Sequence, residues 1–143
     1  MINKKAPIIP FKEMGGIKLY STIDELQPIL SNEKTTKTIL NEEWTRYDIG
    51  KSLMLFFHER NKKLFKICTQ EEYQGSLPNG ISVGTDEKEF SILDATLSYD
   101  DFEEVWESKL GYFIETDAET NKAVWISIFV EELLDEDFEL CNW

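Results

Sequence analysis

The chain has 143 residues, 41% apolar and 13% aromatic, and its 28 acidic against 15 basic side chains leave a net charge of −13. That apolar content supports one sizeable core and excludes wholesale disorder. The acidic balance, with a pI near 4.5, excludes the basic footprint that nucleic acid or an anionic membrane surface needs.

The charge is also split along the chain. Residues 1–70 hold 12 Lys and Arg against 8 Asp and Glu, whereas residues 71–143 hold 3 against 20. The N-terminal half is therefore near +4 and the C-terminal half near −17. Met1-Ile2-Asn3-Lys4-Lys5-Ala6-Pro7 is basic but is followed by no long apolar run, since Pro10 breaks Ile8-Ile9-Pro10-Phe11. No stretch reaches the ~18 apolar residues of a membrane span. Cys68 and Cys141 carry no metal-knuckle or redox spacing and read as free thiols of a reducing compartment. These features predict a cytoplasmic protein of one domain over 1–143.

In chain order, the first element is a short strand at Gly16-Ile17-Lys18-Leu19. A helix start follows at Ser21-Thr22-Ile23-Asp24-Glu25-Leu26, with acids in the first turn. Residues 52–57 and 63–67 read as a hairpin turning at His58-Glu59-Arg60-Asn61-Lys62, their aromatic and β-branched content suiting half-buried strands. Gly75-Ser76-Leu77-Pro78-Asn79-Gly80 is a loop by its turn residues. Beyond it Gly80-Ile81-Ser82-Val83 echoes the first strand. Residues 99–106 read as an amphipathic helix, because Phe102, Val105 and Trp106 share one face at helical spacing. A second hairpin joins residues 111–115 to 123–130, with Asn121-Lys122 before its return strand as Asn61-Lys62 stands before the first. The expected fold class is α+β, an antiparallel sheet with helices packed on one side. Two similar helix-plus-hairpin halves, pseudo-repeats over 14–70 and 78–132, would be followed by an acidic C-terminal segment at 131–143.

Catalytic signals are missing. His58 is the only histidine, has no Ser, Cys or metal-ligand motif beside it, and reads as a turn or surface residue. There is no phosphate-binding glycine loop. Asp117, Glu119 and Asn121 alternate like the start of a calcium loop but lack its glycine and distal glutamate, so a solvated turn is expected. Asp100 and Asp101 could serve acid–base chemistry, but adjacent carboxylates on a helix diverge. The expectation is no catalytic set, no metal and no cofactor. The C-terminal segment holds six acids and no base, interleaved with Leu133, Leu134, Phe138, Leu140 and Trp143. Two outcomes fit it: the segment folds back and buries these apolar groups, or it presents them to a basic partner.

Residues 78–132, through Leu97-Ser98-Tyr99-Asp100-Asp101-Phe102, Gly111-Tyr112-Phe113-Ile114-Glu115 and Val124-Trp125-Ile126-Ser127, resemble small bacterial immunity proteins of contact-dependent growth inhibition and related polymorphic toxin systems. The opening from Gly16 to Leu26 is similar to the strand-to-helix opening of repeats in β-lactamase-inhibitor-protein-like folds, which have Gly where this chain has Tyr20. The resemblance implies a non-enzymatic protein that neutralises a toxin domain, most simply a basic nuclease, by tight stoichiometric binding. A general acidic adaptor is the alternative. Acidic residues would steer such a partner and a few aromatics would anchor it. The candidate acids are Asp100, Asp101, Glu103, Glu104, Glu107, Asp117, Glu119, Asp135, Glu136 and Asp137, and the candidate anchors are Tyr99, Trp106, Phe138 and Trp143. Tyr112 is a further aromatic candidate, and for it and Trp106 packing in the core is the equal alternative.

Overall fold

The computed structural model describes residues 2–32 and 34–143. Glu13–Met14 (β1) and Ile17–Lys18 (β2) form a small hairpin, followed by one helical turn, Gln27–Leu30 (α1). Four strands then run as an antiparallel meander: Thr35–Ile39 (β3), Trp44–Ile49 (β4), Leu53–His58 (β5) and Leu64–Thr69 (β6). A long connection contains a 3-10 turn, Glu87–Glu89, continuing into Phe90–Leu93 (α2). A second meander follows: Ser98–Asp100 (β7), Val105–Ser108 (β8), Tyr112–Thr116 (β9) and Ala123–Phe129 (β10). The two meanders join through their last strands, giving one eight-stranded sheet in the order β3-β4-β5-β6-β10-β9-β8-β7.

This architecture corrects the α+β expectation. The fold is mostly β, 38% strand and 13% helical, and its longest helix has seven residues. The helix expected over 99–106 is the β7–β8 hairpin, with Tyr99 directly opposite Trp106. Asp100 explains the turn: its carboxylate accepts from the backbone N–H groups of Phe102 and Glu103 at 2.9 and 3.1 Å. An aspartate satisfying the amides two and three residues on closes a turn without a helix. The expected first-half helix start is chemically present. Thr22 N–H donates to Glu25 Oε1 at 2.9 Å, and Glu25 N–H donates to Thr22 Oγ1 at 3.2 Å. This reciprocal cap leads only into turns and the four residues of α1.

The 52–57/63–67 hairpin is β5–β6 and the 111–115/123–130 hairpin is β9–β10. Leu55, Ile67, Ile128 and Tyr112 lie side by side across four strands on one sheet face, with Phe57, Leu64, Ile126 and Ile114 beside them. All are buried, in one cluster with Ile8, Met14 and Ile17 from the N-terminal segment and Leu77, Ile81, Phe90 and Leu97 from the long connection. Connecting segments therefore cover this face where packed helices were expected.

Each meander is tied to the segment before it by the same three backbone hydrogen bonds. In the first half Tyr20 N–H donates to Leu64 O, Leu64 N–H to Ser21 O, and Ile23 N–H to Lys62 O. In the second, Gly84 N–H donates to Ala123 O, Ala123 N–H to Thr85 O, and Glu87 N–H to Asn121 O. Tyr20 and Gly84 occupy the same place, and both have positive φ, 70° and 98°. Glycine adopts that conformation freely, whereas tyrosine is strained there.

Candidate functional site

Strand direction sorts the candidate acids into two groups. β8 runs antiparallel to β9, with Trp106 opposite Ile114, so the β7–β8 turn lies beside the β9–β10 turn at one end of the sheet. Asp100, Asp101, Glu103 and Glu104 are on the first turn, and Asp117 and Glu119 on the second. Between them lies a cavity of about 620 Å³, whose lining includes Tyr99, Trp106, Glu87 and Glu104. Asp135, Glu136 and Asp137 are exposed but sit at the opposite end, because β10 carries the chain away from this turn before they occur. The seven residues of β10 separate the groups by about 23 Å. Glu107 is exposed on β8, on the sheet face opposite to Trp106.

The acids at the first end differ in what they already hold. Asp100 closes its own turn, and Asp117 does the same by accepting from the N–H groups of Glu119 and Thr120 at 2.8 and 3.1 Å. Asp101, Glu103, Glu104 and Glu119 are exposed. Tyr99 packs tilted on Trp106, ring centroids 5.3 Å apart, and is 46% exposed. Desolvation, and after it the nearby carboxylates led by Glu104, push the Tyr99 hydroxyl above its ordinary range. The Trp106 ring also meets Phe90 edge-on, and its indole N–H is the one buried side-chain donor without a partner among the described residues.

At the far end of β8, where Ser108 faces Tyr112 across the turn into β9, lies a hydrogen-bonded knot that sequence reading missed. Asp94 is buried and accepts from Ser108 Oγ and Tyr112 Oη, both at 2.5 Å, and from Thr96 Oγ1 at 2.7 Å and Thr96 N–H at 2.9 Å. Burial alone would raise the Asp94 pKa, but these donors outweigh it and hold the carboxyl down to about 2. Tyr112 is consequently a buried core residue, its hydroxyl pushed up to about 12 by burial and by Asp94.

At this same end, opposite the acidic turns, the C-terminal segment folds back as a cap. Phe138 is buried, packs on Phe65, Trp44 and His58, and stacks on Trp143 with centroids 5.1 Å apart. Neither Phe138 nor Trp143 projects freely as an anchor; Leu134 and Leu140 are the exposed apolar groups of this segment, at 64% and 57%. Tyr20 Oη donates to Glu132 Oε1 at 2.5 Å, and its ring meets Trp143.

His58 lies under this cap, fully buried rather than on a surface turn. Its Nε2 is 2.8 Å from Glu139 Oε2 and 3.9 Å from Glu43 Oε2. Its Nδ1 accepts from the Arg60 backbone N–H at 3.2 Å, a pattern that assigns the ring proton to Nε2. The trio could meet around a cation, but a metal on Nε2 would drive the proton to Nδ1, against the Arg60 amide donor. The arrangement instead sets two carboxylates against one buried imidazole N–H. Glu43 is held above the usual carboxylate range, first because it is hydrogen-bonded to Glu139, while the bonds from Glu43 and His58 hold Glu139 low despite its burial. No sequence spacing announces this trio, since its members lie 15 and 81 residues apart.

The sheet face opposite the core is only partly covered. Trp125 is 42% exposed there, opposite Glu115, and Lys66 lies over the Phe56 ring at 4.6 Å. Strand alternation in 123–130 would have pointed Trp125 outward. Cys68 is buried, which pushes its thiol up to about 12, and both cysteines are free.

No family model matches the chain, and no curated protein matches it. Among solved structures it is similar to a cysteine-rich secretory protein from Staphylococcus aureus, at 10% identity and a TM-score of 0.53. The match covers 92% of this chain and 50% of that protein, so the chain spans half of that protein's length. At this identity the likeness is one of fold alone. No helix among the described residues is long and apolar enough to cross a membrane.

Proposed function

We propose that the chain is a binding protein, not an enzyme, that holds a basic protein partner against the acidic end of its sheet. The observation carrying this reading is the convergence of the β7–β8 and β9–β10 turns around the Tyr99–Trp106 pair. Exposed carboxylates ring an aromatic pair whose indole N–H lacks a partner. Such a ring speeds encounter with a cationic surface, and a central aromatic supplies the holding energy once water is expelled.

In its specific form, following the resemblance, the chain is a cytoplasmic immunity protein that neutralises a toxin domain stoichiometrically. A nuclease suits the chemistry, because its phosphate-binding surface is basic. The test is co-purification with a toxin domain encoded beside the chain's gene. A one-to-one complex that abolishes the toxin's activity is expected. A flanking gene for a metabolic enzyme, or no complex with an adjacent toxin, would sink the immunity form. Capture of a basic cytosolic protein in its place would favour the adaptor.

A further inference from the structure

A third region of the molecule has the opposite character to the acidic end. A cavity of about 580 Å³ opens beside α1 and the β4–β5 turn. Its apolar wall comes from Ile2, Pro28, Ile29 and Ile49. Among the described residues, Lys4, Lys34 and Lys51 stand on its lining with one acid, Glu72, which pairs with Lys4 at 3.2 Å. Lys34 and Lys51 are exposed and leave the lining net cationic among the described residues, in a chain whose net charge is −13.

Ser52 adds an independent sign. It lines the cavity, and its hydroxyl has no hydrogen-bond partner among the described residues. A hydroxyl on the lining without a partner is free to meet a ligand. The site thus offers an apolar wall, an unused hydroxyl and cationic side chains. Inorganic anions would leave the wall unused, and an uncharged hydrocarbon would leave the lysines unused. Pockets of ~300–1,000 Å³ with apolar walls and a few placed polar groups are those that hold small organic ligands.

We propose that this cavity binds a medium-chain aliphatic carboxylate, its chain along Ile29 and Ile49 and its carboxylate between Lys34 and Lys51. The reading does not depend on the acidic end of the sheet, which lies on the other half of the molecule. Titration calorimetry with decanoate, kept below its micelle-forming concentration, tests it on the full chain. Saturable binding is expected, at least tenfold weaker in the double variant Lys34→Gln/Lys51→Gln and at least tenfold weaker for decanol. Both lysines are exposed, so the variant keeps the fold. A second variant, Ser52→Ala, is expected to weaken decanoate several-fold. Absence of saturable binding, equal binding of decanol, or an unchanged affinity in the lysine variant would each overturn the proposal.

Discussion

His58 Nε2 lies 2.8 Å from a carboxylate oxygen of Glu139, a residue 81 positions further along the chain. The contact fastens the last residues of the chain onto the meander that begins it. It also gives Phe138 and Trp143 a structural role, as the lid over Trp44, His58 and Phe65.

The strength of that fastening can be measured. Phe138→Ala removes a buried ring and should cost about 3–5 kcal/mol. Glu139→Ala leaves the buried His58 N–H without its acceptor and should cost about 1–3 kcal/mol. Urea unfolding followed by tryptophan fluorescence gives both values. Costs below half a kcal/mol for both substitutions would show that the C-terminal segment is not docked.

Acid should act through Asp94. Its ordinary pKa is 3.8 and its folded value is near 2, so folding favours the ionised form. The stability it contributes is complete above about pH 4 and is lost as pH falls from there towards 2. Asp94→Asn should cost about 1–3 kcal/mol at neutral pH, because an amide cannot accept from all the donors that converge there. The variant should also show a flatter loss of stability below pH 4. Parallel acid limbs for the two proteins would mean that Asp94 carries none of the acid sensitivity.

Tyr20 stores backbone strain that Gly84 avoids at the equivalent place. Its hydroxyl bond to Glu132 and its contact with Trp143 hold it there. Tyr20→Phe should cost about 0.5–1.5 kcal/mol by losing that bond. It should also speed amide exchange in residues 138–143 while leaving β9 and β10 unchanged. Unaltered exchange at the C-terminus would detach Tyr20 from the cap.

Both hairpins rich in aromatic and β-branched residues, β5–β6 and β9–β10, were legible in the sequence, whereas of the two short strand signals only Ile17–Lys18 is a strand and 80–83 is a turn with an isolated bridge at Ser82. The β7–β8 hairpin was not. Tyr99 and Trp106 are seven residues apart, two helical turns, and Phe102 and Val105 complete a helical spacing by coincidence. Phe102 is in fact 91% exposed at the turn tip. The deciding signal was Asp100, whose carboxylate prefers the turn, and it was read only as an acid. The clustering of the acids was half legible. Charge counting located them in the second half but could not divide Asp101 and Glu119 from Asp135 and Glu136, because only strand direction does so. His58 was misread because its partners, Glu43 and Glu139, arrive through sheet pairing and the folded-back terminus.

The central claim is that the exposed acids of the β7–β8 turn steer a basic partner. Asp100 closes that turn, so the informative change is Asp101→Lys/Glu103→Lys, with Asp24→Lys/Glu42→Lys as the charge-matched control elsewhere on the surface. Stopped-flow association with a toxin domain encoded beside the chain's gene, measured from low to physiological ionic strength, separates the possibilities. The account predicts a steep fall in association rate with salt for the natural chain. It also predicts a reduction of at least ~10-fold at low salt for Asp101→Lys/Glu103→Lys and a much smaller one for the control. A flat salt response, or equal slowing by the two variants, would contradict it.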